Sequence, residues 1–96
     1  MGAAHSQLEI LLRGPKVTRG LTVRSHGQSL ILGRPETGPA EEPETDDRVK
    51  LTRLGTSTWG LSVKRHTGRW ERTPFSGTLR EMVEVIGEFM QHLVAP

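Results

Sequence analysis

The sequence predicts an α+β fold, an antiparallel β-meander of five to six strands with one C-terminal amphipathic helix packed on one face. Most of the chain consists of short segments in which apolar and polar residues alternate, separated by glycine-containing turns, as is typical of antiparallel strands. Near the C-terminus the apolar residues instead recur every three or four positions, which indicates a helix with one buried side. A length of 96 residues fits a single domain over residues 1–96.

Six segments alternate clearly enough to be interpreted as strands. In the first of them, Leu8, Ile10 and Leu12 would point to one side of a sheet. The dipeptide His26-Gly27 between the second and third segments suits a two-residue hairpin, since its glycine can adopt a positive φ. The strands are predicted over residues 7–13, 16–25, 28–33, 48–54, 58–66 and 69–73.

Two segments outside the strands are predicted to lack a fixed structure. Residues 1–6 are expected to be a disordered tail, and residues 35–47 a mobile acidic loop. The loop contains six acidic residues and no Leu, Ile, Val or aromatic residue. It therefore has no side chain whose burial could offset the entropy lost on ordering.

The C-terminal helix is predicted from its cap and from its apolar stripe. Pro74 is expected to end the sixth strand. Thr78 can then cap the helix, with Glu81 three residues later completing a capping box. A helix of this kind needs the apolar face of a sheet to pack against. The stripe consists of Leu79, Met82, Val83, Ile86, Phe89, Met90 and Leu93.

The composition points to a protein that is not an enzyme and has no cofactor. There is no cysteine, which excludes disulfides, thiolate nucleophiles and Cys-ligated zinc. No two of the four histidines have ligand spacing, so no metal site is expected. The carboxylates cluster in the acidic loop and on the solvent side of the helix, where no pocket would hold a general acid or base. No catalytic residue is therefore predicted.

Residues 1–7 have neither a basic segment nor a long apolar run, so we expect no signal peptide, and no apolar run in the sequence has the length that a membrane helix needs. We therefore expect a cytoplasmic location and no membrane partner. The net charge is only +2, but the charges are segregated along the chain. Outside the acidic loop and the helix there are 12 basic and 2 acidic residues, a balance of +10.

Alternation along the strands places many of these cations on the side that faces away from the helix. Val49 and Leu51 would point to the core, so Lys50 between them points outward. Leu61 and its inward-facing neighbours likewise leave Lys64 outside. The last hairpin adds an aromatic side chain on which a base could stack. The predicted nucleic-acid-binding residues are Lys16, Arg24, Arg48, Lys50, Lys64, His66, Arg69, Trp70 and Arg72.

Two functions fit this distribution of charge. The first is a small binding module that binds single-stranded nucleic acid through a basic open sheet face. The alternative is a protein–protein interaction or adaptor domain that forms a homodimer, or binds an acidic protein, with no nucleic-acid role. One contiguous basic face would favour the first, and an apolar patch around Leu11, Ile31 and Leu54 the second. Surface cations of this kind also serve solubility and protect edge strands.

Overall fold

Five antiparallel strands form one sheet in the computed structural model, which describes residues 2–36 and 44–94. The strand order is β1-β2-β3-β4-β5, so neighbours in the sheet are also neighbours along the chain. The predicted α+β meander with a C-terminal helix on the sheet is confirmed. The strands are β1 (Thr22–His26), β2 (Ser29–Glu36), β3 (Glu44–Arg53), β4 (Trp59–Lys64) and β5 (Trp70–Gly77). The helices are α1 (Gly2–Leu12), α2 (Leu79–Phe89) and α3 (Gln91–Val94), with a 3-10 turn at Lys16–Thr18.

The helices pack together on one face of the sheet. Alternate residues of the central strands point to this face and meet the apolar sides of α1 and α2. Because all three helices contribute to one cluster, no described element covers the opposite face. The cluster consists of Leu8, Leu12, Leu30, Leu32, Val49, Leu51, Trp59, Leu61, Leu79, Met82, Val83, Ile86, Met90 and Val94.

The N-terminal segment forms helix α1, where the sequence predicted a disordered tail over 1–6 and a strand over 7–13. Leu8 and Leu12 are buried, whereas Ile10 is 63% exposed. Burial at four-residue spacing is helical, and a strand would have buried all three residues on one side. The strand prediction was wrong because an apolar run this short satisfies both periods.

The second predicted strand, over residues 16–25, begins only at Thr22. The preceding residues form the 3-10 turn, in which Thr18 is buried and its hydroxyl donates a 2.6 Å hydrogen bond to the Leu12 carbonyl. Gly20 has a φ of +89°, which redirects the chain from this turn into β1. Residues 16–18 therefore alternate like a strand in the sequence but form a turn that packs against the helices.

Part of the predicted mobile loop over 35–47 is strand. Strand β2 extends through Glu36 and β3 begins at Glu44, and the two ends pair in register. Asp47 within this region accepts a hydrogen bond from an arginine of β1. Backbone pairing of β2 with β3, with one ion pair beside it, thus orders residues that have no apolar side chain to bury. The central part of the predicted loop, 37–43, lies outside the described residues.

Strand β5 continues through Pro74, which was predicted to end it. Because β5 is an edge strand, a proline can occupy it without removing a hydrogen bond from the sheet. The register of β4 against β5 shifts between Gly60 and Ser62, next to this proline. The strand consequently reaches Gly77, directly before the helix cap.

Helix α2 begins at the predicted capping box. The Glu81 backbone N–H donates to the Thr78 hydroxyl at 3.2 Å, and the Thr78 N–H donates to the Glu81 carboxylate at 3.0 Å. The helix that carries the predicted stripe is interrupted at Met90. This residue is buried, but its φ of −122° is not helical and separates α2 from α3. Phe89 was predicted to be buried but is 63% exposed, and its ring stacks on Phe75 with centroids 6.2 Å apart.

Replacing the cap residue is expected to weaken the fold. Thr78→Ala removes the acceptor for an N–H at the helix start, which costs about 1 kcal/mol of unfolding free energy in such positions. Urea denaturation followed by circular dichroism measures this change. Thr67→Ala, in the exposed β4–β5 turn, is the matched control and should change stability by less than about 0.5 kcal/mol. Equal stability of the two variants would contradict a role for the cap.

Candidate nucleic-acid interface

A row of side chains crosses the sheet on the face without helices. The register pairs Arg24 with Ile31, Ile31 with Lys50, Lys50 with Ser62, and Ser62 with Arg72. Directly paired residues point to the same side of a sheet, so the three cations share one face. Strands are spaced about 4.8 Å apart, so the row spans roughly 19 Å. The open face is defined here by Arg24, Lys50, Lys64, Trp70 and Arg72, with the small residues between them.

An indole lies beside this row. Lys64 at the end of β4 pairs in register with Trp70 at the start of β5. The Lys50 ammonium lies 5.0 Å from the centroid of the Trp70 ring, a cation–π distance. Trp70 as a residue is half-buried, so part of its surface remains accessible beside the lysine. The open face therefore combines positive charge with an aromatic surface on which a base can stack.

Most cations of the open face have no ionic partner among the described residues. Within residues 2–36 and 44–94, Lys64 and Arg72 form no hydrogen bond or ion pair through their side chains, and the Lys50 ammonium interacts with the indole and with no carboxylate. Arg24 differs, since it donates to the Asp47 carboxylate at 2.6 Å. A phosphate could thus bind Lys50, Lys64 and Arg72 without breaking any ion pair of the described residues.

A β-bulge places Arg48 on the helix side, although the sequence predicted it on the open face. The register shifts between Leu32 and Gly33 of β2, which leaves Arg48 as the extra residue of β3. An extra residue interrupts the alternation of side chains along a strand. Arg48 donates to the Leu93 carbonyl of α3 and to the Asp46 carboxylate, both at 2.8 Å. Its assignment to the binding face was therefore wrong.

A second arginine at this end of the sheet is buried. Arg34 is 8% exposed and donates to the carbonyls of Val94 at 2.7 Å and of Val17 and Arg19 at 2.5 Å each. Burial lowers the pKa of Arg34 from its ordinary value, and the charge of Arg48 lowers it further. The guanidinium joins β2 to the 3-10 turn and to α3, a structural role that the sequence did not reveal.

The remaining predicted residues lie at the rim of the open face or away from it. Lys16 is in the 3-10 turn that contacts α2 and α3, so its assignment to the outer side of a strand was wrong. His66 and Arg69 lie in the exposed hairpin between β4 and β5, next to Lys64 and Trp70. His66 also lines a cleft of about 540 Å³ between this hairpin and α3.

The three apolar residues whose patch would favour self-association do not lie together. Leu11 belongs to α1 and packs against the core. Ile31 lies on the open face between two cations, but it is only 5% exposed. Leu54, which follows β3, is 47% exposed. The open face is accordingly basic and not apolar.

Sequence reasoning missed a small cavity on the open face. Its volume is about 110 Å³, and it lies between the two cations of β3 and β5. The sequence feature that could have indicated this cavity is the pair of small residues Gly60 and Ser62, which lie between larger residues on the outward side of β4. The lining residues are Lys50, Thr52, Leu54, Gly60, Ser62 and Arg72.

Comparison with known proteins identifies no relative. No protein-family model matches the sequence, and neither a curated protein nor a solved structure matches it significantly. In the described part of the chain, no helix is long and apolar enough to cross a membrane. The same residues contain no group of three or more His, Asp or Glu side chains arranged to hold a metal ion. The geometry of the open face is thus the basis for a functional proposal.

Proposed function

We propose that this domain is a non-enzymatic module that binds single-stranded nucleic acid through the open face. The observation that carries this proposal is the row of cations on the first, third and fifth strands, with Trp70 beside it. The cations neutralise phosphates, and the indole and guanidinium groups stack on bases. Lys50, Lys64 and Arg72 are the principal phosphate contacts of this module, and Arg24 contributes by exchanging Asp47 for a phosphate.

Unpaired bases suit this surface better than a duplex does. In a duplex the base faces are stacked on one another, so an indole at the surface cannot reach them. Readout of a duplex usually relies on a helix or a two-stranded ribbon that enters a groove. The described elements present no helix on the open face, which offers a sheet surface about 19 Å across.

Fluorescence anisotropy with a labelled single strand of about 15 nucleotides tests the proposal, because sites of this kind cover about 4–16 nucleotides. Single-stranded DNA is expected to bind at low salt, and more tightly than a duplex of the same sequence. Equal affinity for the duplex would indicate that binding depends on charge alone and not on stacking of unpaired bases. No binding at low salt would end the proposal.

Removing the indole is expected to weaken binding. Trp70→Ala should raise the Kd for single-stranded DNA by about 5- to 150-fold, which corresponds to the 1–3 kcal/mol typical of stacking one base on an aromatic side chain. Phe89→Ala removes an exposed aromatic ring from the helix side and should leave the Kd unchanged. An unchanged Kd for Trp70→Ala would show that Trp70 does not stack on the strand.

The alternative function is a protein–protein interaction domain that forms a homodimer. The observation that favours it is the sheet itself, because β1 and β5 each pair with only one strand among the described residues. Free edges of this kind can pair with another chain. Light scattering separates the alternatives: a mass of twice 10.7 kDa without oligonucleotide binding supports the homodimer, and a monomer at high concentration contradicts it.

A further inference from the structure

The cleft between the β4–β5 hairpin and α3 lies where the open face ends. Lys64 belongs to the open face and also lines this cleft, and it pairs in register with Trp70. A strand that stacks a base on Trp70 therefore passes the entrance of the cleft. The volume of about 540 Å³ falls within the range of roughly 300–1,000 Å³ that is typical of small-molecule sites in proteins.

Three hydrogen-bond donors without partners line this cleft. They are the Lys64 ammonium at the end of β4, the His66 imidazole in the hairpin and the His92 imidazole of α3. Within residues 2–36 and 44–94, none of these side chains forms a hydrogen bond or an ion pair. Both histidines are exposed, so their N–H groups are open to a ligand. The lining therefore suits an anion that has several acceptor oxygens.

The acidic side chains of the cleft are already paired with arginines. Asp46 accepts a hydrogen bond from Arg48 at 2.8 Å, and Asp47 accepts one from Arg24 at 2.6 Å with its second oxygen buried. Arg65 pairs with a glutamate of β5 at 3.1 Å, but both side chains are more than half exposed. An exposed pair of this kind contributes little to stability, so Arg65 can exchange its partner for a ligand anion.

Two residues that line the cleft also join its walls. Arg48 of β3 donates to the Leu93 carbonyl of α3 at 2.8 Å. A strand that enters beside Lys64 meets this joined wall, which suits the end of a strand better than a strand that continues.

The end of a strand can carry a phosphate of a distinct kind. A phosphate monoester has a charge of about −1.5 to −2 at pH 7 and three acceptor oxygens. These oxygens match the three donors Lys64, His66 and His92. We infer that the cleft binds the terminal phosphate of the bound strand, an inference that rests on the proposed binding of single-stranded nucleic acid.

Fluorescence anisotropy of strands with and without a terminal phosphate tests this inference. One pair of strands carries the phosphate at the 5′ end and the dye at the 3′ end, and a second pair has the reverse arrangement. A phosphate at one of the two ends should lower the Kd of the wild-type protein by about 5- to 10-fold, as expected from one charge-assisted contact. The end that responds gives the direction in which the strand crosses the open face.

Removing the two imidazoles of the cleft should remove this gain in affinity. His66→Ala/His92→Ala is expected to reduce the gain to less than about twofold. His5→Ala/His26→Ala, which removes the other two histidines, is the matched control and should keep the wild-type gain. His26 pairs with Ser29 at the end of the sheet that is remote from the cleft. Circular dichroism establishes that the variants keep the fold, and His66→Ala alone retains the test if the double variant does not fold.

The possible results separate this inference from the proposed function. If neither terminal phosphate strengthens binding to the wild-type protein, the terminal-phosphate site is contradicted while the proposed function stands. The same conclusion follows if the two double variants show equal gains, because the effect of the phosphate then does not depend on the histidines of the cleft. If the wild-type protein binds no strand, the proposed function fails as well.

Discussion

Reversing the charges of Lys50 and Lys64 together is expected to weaken the binding of single-stranded DNA by about 100-fold or more at low salt. The register places both side chains on the open face, and neither has an ion-pair partner in the described part of the chain. Replacement by glutamate removes two phosphate contacts and adds two charges that repel the strand. Fluorescence anisotropy of the double variant Lys50→Glu/Lys64→Glu measures the loss.

The control for this variant carries the same charge change on the opposite side of the molecule. Lys16 is the exposed residue of the 3-10 turn, and Arg80 lies on the exposed side of α2. Lys16→Glu/Arg80→Glu should reduce affinity only slightly, since both positions are remote from the open face. Equal losses in the two double variants would show that net charge, and not the open face, determines binding. Circular dichroism establishes that both variants keep the fold.

Replacing the buried guanidinium is expected to have the largest effect on stability. Arg34→Met should lower the free energy of unfolding by about 3 kcal/mol, because three backbone carbonyls lose a charged donor. For a domain of this size, that loss corresponds to a decrease in Tm of about 12–24 °C. The buried charge has its own desolvation penalty, which the substitution relieves and which keeps the loss below the sum of three separate bonds.

Thermal and urea denaturation of three variants test the role of Arg34. Arg34→Lys should also be destabilised, since a lysine keeps the charge but cannot donate to three carbonyls from one planar group. Arg19→Met removes an exposed side chain but keeps the Arg19 carbonyl that Arg34 binds, and it should change stability by less than about 0.5 kcal/mol. If Arg34→Met is as stable as Arg19→Met, the three hydrogen bonds do not hold the 3-10 turn and α3 on the sheet.

The elements that could be predicted from the sequence are those with a strong period and clear ends. The capping box of Thr78 and Glu81 and the spacing after it indicate α2 directly. Helix α1 could not be predicted, because Leu8 and Leu12 fit both a strand and a helix until the core is known. The strand ends beside the acidic segment are held by backbone pairing between β2 and β3, which begins in the apolar centre of the sheet and carries no signal in the acidic residues themselves.

Much of the open face follows from strand alternation alone, and its exceptions have local causes. Lys50 and Lys64 lie where alternation predicts. Arg48 does not lie on the open face, because a bulge takes one residue of β3 out of the alternating pattern. Lys16 does not lie on the open face either, because its segment is a 3-10 turn and not a strand. The cavity beside Gly60 depends on side chains from three strands, so it becomes visible only once the sheet is assembled.

The salt dependence of binding tests most directly whether the cations of the open face, which lack an ionic partner in the described part of the chain, contact the phosphates of a single strand. Three such contacts predict that log K falls linearly with log salt concentration, with a slope of about −2, since each contact to a single strand contributes about −0.7. In Lys50→Glu/Lys64→Glu the residual binding should show a slope reduced by at least about 1.4. An affinity that does not change with salt, or a slope that the double variant leaves unaltered, would contradict the claim.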